Sequence, residues 1–198
     1  MKRVIAIGSA LAMLAIPAGA AAKPDKADRT NAAKECRSER GATDATREAF
    51  AVKYGTNANK KNAFGKCVSQ RARDEEQEGV VAHKNASKEC KAEAATMTPA
   101  DFALKYGAKG GNAHGKCVSQ KAKAKEAEAD AVDQEQIADR KSAARTCDEE
   151  RGETAASRAA FAEKYGTNKN NRNAFGKCVS QTAKALQQEE EPPVVPTV

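Results

Sequence analysis

AFAVKYGTNANKKNAFGKCVSQ, residues 49–70, decides the architecture because the chain carries it twice more. The second copy reads DFALKYGAKGGNAHGKCVSQ at 101–120, and the third AFAEKYGTNKNNRNAFGKCVSQ at 160–181. Each copy opens on its own upstream cysteine: Cys36, Cys90 and Cys147. Self-similarity at this level means one small structural unit used three times.

The spacings locate elements and loops. Cysteine to phenylalanine is 14, 12 and 14 residues, and tyrosine to the second cysteine is 13, 11 and 13. Phe50–Tyr54, Phe102–Tyr106 and Phe161–Tyr165 keep one spacing throughout. Length varies in surface connections, not inside packed helices. Each unit therefore reads as helix, loop, short helix, loop, helix.

The short helix is expected over about 47–54, with Phe and Tyr on one face. Thr46, Thr98 and Ser157 stand four residues before the phenylalanines as N-caps, and Pro99 suits the first helical position. Gly55, Gly107 and Gly166 suit a left-handed ending. Asn62, Asn112 and Asn173 are expected to cap the third helix. Gly65, Gly115 and Gly176, in its first turn, suggest close backbone approach beneath a ring or beside a disulfide.

Residues 1–22 read as a secretory signal peptide: Lys2 and Arg3, an apolar run from Val4 to Ile16, then Ala18-Gly19-Ala20. No later segment approaches about 18 apolar residues, so the mature chain is expected to be exported, soluble and without a transmembrane segment. In an oxidising compartment six cysteines imply three disulfides. A duplicated unit favours Cys36–Cys67, Cys90–Cys117 and Cys147–Cys178, each closed within its copy. Zinc fits poorly, with no C-x-x-C and only two histidines. Closing such loops contributes about 3–4 kcal/mol in the chain-entropy model, which small cores need.

The fold expected is all-α: three disulfide-stapled helical repeats joined by helical connectors. The signal peptide precedes unit 1 at 28–75, a connector at 76–84 and unit 2 at 85–122. A second connector at 123–141, unit 3 at 142–187 and an acidic, proline-bearing disordered tail at 188–198 follow. Between Cys117 and Cys147 there is no Gly or Pro, and strong helix formers dominate. The connectors are expected to act as rigid spacers, with Gly79 the soft point of the first. The intervals Cys67–Cys90 and Cys117–Cys147, 23 and 30 residues, differ by close to two helical turns.

Chemistry is sparse. His83 and His114 are the only histidines, on different segments, and no nucleophile–base motif, metal set or phosphate-cradling loop is present. No catalytic residue, metal or cofactor is assigned. His114 stands where Phe64 and Phe175 stand in the other copies; it is read as a ring replacing a ring at a packing site. The formal charge is +7, of which Lys2 and Arg3 supply two, leaving +5 on the mature chain. Each unit is mildly basic, which permits attraction to anionic surfaces.

One segment per unit has site-like character: 55–66, 107–116 and 166–177 are Gly/Asn-rich, basic and free of acids. Exposed amides, a helix N-terminus and lysines together suit an anion. The candidate residues are Lys60, Lys61 and Lys66 in the first unit, and Lys109 and Lys116 in the second. Lys169, Arg172 and Lys177 are those of the third. A polar, solvated turn is the plainer reading of the same residues. Calcium is disfavoured because the loops offer no carboxylates.

The quoted motifs resemble uncharacterised secreted bacterial proteins, of actinobacterial type, that repeat a C…AFxxKYG…NAFGKCVS segment. The resemblance covers roughly 31–187. It implies export and repetition and brings no activity, cofactor or binding residue. The function expected is a non-catalytic helical repeat protein of the extracellular space or cell envelope. The alternative is a module binding nucleic acid, wall polymer or anionic lipid.

Overall fold

The computed structural model describes residues 24–107 and 112–189. The expected signal peptide, most of the acidic tail and Lys109 lie outside those residues. The helices are α1 (Lys26–Arg40), α2 (Asp44–Tyr54), α3 (Ala63–Thr96), α4 (Pro99–Lys105), α5 (Ala113–Arg151), α6 (Ala155–Tyr165) and α7 (Ala174–Glu189). No strand occurs among the described residues, so the class is all-α.

The three cross-links pair Cys36 with Cys67, Cys90 with Cys117 and Cys147 with Cys178, each with Cα atoms 6.0 Å apart. Every pair staples the first helix of a unit to its third. Phenylalanine and tyrosine of the short helix pack beside each staple, with ring centroids 4.9 Å apart in all three units.

The connectors are helical, and they merge with their neighbours. α3 runs unbroken through Gly79 from the third helix of unit 1 into the first of unit 2, and α5 does the same from unit 2 to unit 3. Segments 76–84 and 123–141 are thus interior turns of longer helices. The chain then folds back on itself: α1, α3, α5 and α7 lie antiparallel, each packed on the next. α2 and α6 sit at one end of the bundle, with α4 at the other.

The rigid-spacer expectation changes accordingly, because α3 and α5 lie against each other and the outer units meet. From the shared level of Cys90 and Cys117, α5 runs 30 residues to its next cysteine while α3 runs back only 23. The excess carries Cys147 about 10 Å beyond Cys67 along the bundle. That offset lays α2 of unit 1 against α5 and α7. Ala45 and Ala49 pack into the cluster formed by Ala143, Phe161, Phe175 and Val179, and Arg151 donates to both oxygens of Glu48 at 2.9 and 2.8 Å.

Several local expectations are corrected. Thr98 caps α4, accepting from the Asp101 amide at 3.2 Å. In units 1 and 3 the caps are Thr43 and Thr154. Without a proline there, the helix gains a turn, and Thr46 and Ser157 fall inside it, donating to the Thr43 and Thr154 carbonyls at 3.0 Å. Gly107 is left-handed, with φ of 64°, but Gly55 and Gly166 are extended, with φ of −74° and −69°. Crowding favours glycine at 55: a Cβ would lie 2.5 Å from the Ala51 carbonyl oxygen and 2.7 Å from Lys60 Cδ.

Asn62 and Asn173 precede their helices without capping them. Asn62 Oδ1 accepts from the Thr56 amide at 3.1 Å and its Nδ2 donates to Thr56 Oγ1 at 2.7 Å, tying the loop across its neck. Thr167 and Asn173 repeat that bond pair at the same lengths. None of the first-turn glycines lies beneath a ring or a staple. Gly65 meets open space, Gly115 meets its own Asn112 side chain, and Gly176 meets Val52. His114 is exposed and takes no place in its unit's core, unlike the ring at Phe175.

Candidate functional site

The polar groups that the fold gathers begin at the residue three after each first cysteine. Glu39, Glu93 and Glu150 accept the hydroxyls of Tyr54, Tyr106 and Tyr165, each at 2.8 Å. The lysine preceding each tyrosine completes the clamp: Lys53–Glu39 and Lys105–Glu93 at 2.7 Å, Lys164–Glu150 at 2.5 Å. The reading of the sequence missed this triad. C-x-x-E stands in all three copies as CRSE, CKAE and CDEE, and was the signal available.

In unit 1 the glutamate and tyrosine of the clamp are buried and join a larger network. Arg71 Nη1 reaches Glu35 and Asp133, both at 2.7 Å, and Nη2 reaches Glu39 at 3.3 Å. Arg140 Nε lies 3.3 Å from the other Glu39 oxygen. One guanidinium thereby ties α1, α3 and α5 together. Burial alone would raise the Glu39 carboxyl; Lys53, the Tyr54 hydroxyl and Arg71 outweigh it and hold the group below its ordinary range. Burial wins at Glu35, whose pKa rises despite Arg71. Lys121 takes the Arg71 position in unit 2, 2.9 Å from Glu93, and Thr182 takes it in unit 3.

An acidic patch lies alongside. Carboxylate oxygens of Glu35, Glu75 and Asp130, from α1, α3 and α5, fall within 4.8 Å of one another, the one grouping among the described residues close enough to share a cation. Glu75 is pushed up to about 7, first by burial and then by Glu35, Asp130, Glu78 and Asp133. Glu35 is already engaged by Arg71.

The sequence-derived anion candidates divide by environment. Lys60 Nζ donates to the Gly55 carbonyl at 2.8 Å and Lys116 Nζ to that of Gly107 at 2.7 Å, so both brace their own loops. Lys61 and Lys66 line a groove with Lys53, Arg73, Ser69 and Gln70, and no carboxylate lines it. Lys169 and Arg172 are exposed on the matching loop of unit 3. Lys177 lies in a smaller cleft shared with Val52, Arg140 and Ser180, where α2 covers α7. Lys53 lines both of these clefts, so Lys61, Lys66 and Lys177 lie near one another at one end of the bundle, while Lys116 lies at the other end beside α4. His83 and His114 are exposed on α3 and α5.

No protein-family model, curated protein or solved structure matches this chain. Among the described residues no helix is long and apolar enough to cross a membrane.

Proposed function

We propose that the chain is an exported, non-catalytic helical protein that presents binding surfaces in the extracellular space or cell envelope. The observation that carries this reading is the pairing of all six cysteines, one staple per unit. Such cross-links persist where the medium is oxidising. The polar clusters support it too: the buried acids and bases serve to join helices, each carboxylate of the clamp engaged by a tyrosine and a lysine. The test is peptide mapping of non-reduced protein collected outside the producing cell. Intact bridges at the three pairs and a start near residue 23 are expected. Protein retained inside the cell with free thiols would end the reading.

A second reading, polyanion binding, is favoured by one observation, the acid-free groove lined by Lys53, Lys61, Lys66 and Arg73. Clustered cations release counterions from a polyanion, so affinity falls steeply with added salt. Titration with a long polyphosphate at rising ionic strength tests it. A flat salt response, or equal binding after Lys61→Gln and Lys66→Gln, would remove this reading and leave the first untouched.

A further inference from the structure

One helix joint is closed inside the chain. Val52 of α2 rests over Gly176 of α7, where a Cβ would lie 2.5 Å from Val52 Cγ1. Beneath that cover Phe175 and Val179 are 5% and 1% exposed. The bare α-carbon makes the recess and the valine fills it.

Both halves of this joint recur in every unit. The positions equivalent to Val52 are Leu104 and Glu163; those equivalent to Gly176 are Gly65 and Gly115. Val52 and Gly176 occupy each other. The Asn112 side chain stands over Gly115, and Glu163 carries a charge. One apolar knob and one recess remain. Leu104 is 83% exposed, more than any other large apolar residue described. Gly65 has no described atom within 4 Å of its Cβ position, and its flanking Phe64 and Val68 stay half-buried where Phe175 and Val179 are covered. Knob and recess cannot meet within one chain. The levels of Cys90 and Cys67 are 23 residues apart on α3, about 35 Å.

We propose that a second copy of this chain is the occupant, with Leu104 of each copy seated in the Gly65 recess of the other. Because knob and recess lie at opposite ends of the α3–α5 hairpin, two antiparallel chains side by side close both joints at once, as a twofold dimer requires. Charge agrees: exposed Asp101 on α4 precedes Leu104, and Lys61 and Lys66 rim a recess whose groove has no acid. Two small joints make the association weak and concentration-dependent.

Sedimentation of the mature oxidised chain over a concentration series tests this. The mass is expected to move from one chain to two, and Leu104→Asn or Gly65→Leu to weaken the dimer by about tenfold or more. Both positions are open, so neither variant is expected to lose helical signal or to melt at a lower temperature. Val80→Asn, at an exposed valine on α3, leaves the dimer intact. A photo-crosslinker at position 104 is expected to label 61–69 of the second chain. A chain that stays single into the millimolar range, a dimer that survives Gly65→Leu, or labelling elsewhere overturns the proposal. A single chain that loads polyphosphate on Lys61 and Lys66 overturns it as well, and supports the polyanion reading instead.

Discussion

The Tyr54 hydroxyl donates to the Glu39 carboxylate across 2.8 Å with both side chains buried, 6% and 4% exposed. The same bond between Tyr165 and Glu150 is exposed. Equal geometry in unequal surroundings gives unequal energies. Tyr54→Phe leaves a buried carboxylate short of one donor and is expected to cost about 1–3 kcal/mol in denaturant unfolding. Tyr165→Phe, where water replaces the hydroxyl, costs far less. Matching losses would mean burial does not govern the clamp.

Arg71 neutralises Glu35, Glu39 and Asp133 at once. Arg71→Met should destabilise by roughly 3–5 kcal/mol, because Glu35 remains buried without a cation while Glu39 keeps only Lys53 and Arg140. Arg71→Lys recovers only part of this, since one ammonium cannot reproduce the fork. A full rescue by lysine in thermal unfolding would refute the geometric role.

Glu75 supplies a pH dependence of opposite sign to ordinary acid unfolding. Its folded pKa is raised from 4.5 to about 7, so below 4.5 both states hold the proton. Between 4.5 and about 7 the folded chain holds it preferentially, and stability falls as pH rises through that window. Discounted for partial exposure, the effect is on the order of 1–2 kcal/mol. Urea midpoints should be higher at pH near 5.5 than near 8, a gap that Glu75→Gln closes by stabilising the alkaline side. The same gap in wild type and variant would place the titration elsewhere.

Gly65 and Gly176 occupy the same place in their units and should respond oppositely to alanine. Gly176→Ala drives a methyl onto Val52, an overpacking of about 1–3 kcal/mol. Gly65→Ala meets nothing and should gain about 0.5–1 kcal/mol of helix stability. Calorimetry on the two variants decides whether units 1 and 3 share a core; shifts of one sign would deny it.

The staples, the helix–loop–helix order and the helical connectors were legible because each rests on local chemistry repeated three times. Cys36 and Cys67 identify one another through their duplicates, and Pro99 marks a helix start unaided. What was not legible depends on through-space company. Thr43 outcompetes Thr46 as a cap only because nothing upstream stops the helix. Lys60 turns inward to Gly55 once the loop closes, and Val52 finds Gly176 only after α5 overshoots by two turns. The clamp glutamates stood in plain view three residues after each cysteine, yet sequence alone does not say that a tyrosine 15 residues on from Glu39 donates to it.

The staples and the long helices together decide what a cut in the backbone can do. Among the described residues from Lys26 to Glu189, every turn lies inside a disulfide ring: 41–43 and 55–62 within Cys36–Cys67, 97–98 and 106–107 within Cys90–Cys117, and 152–154 and 166–173 within Cys147–Cys178. The stretches outside the rings, 26–35, 68–89, 118–146 and 179–189, are continuous helix. A protease working on accessible turns therefore nicks the molecule without dividing it, for the fragments stay tied by sulfur. To sever the chain it must first melt a helix packed along the bundle, which makes cleavage a question of unfolding and not of access.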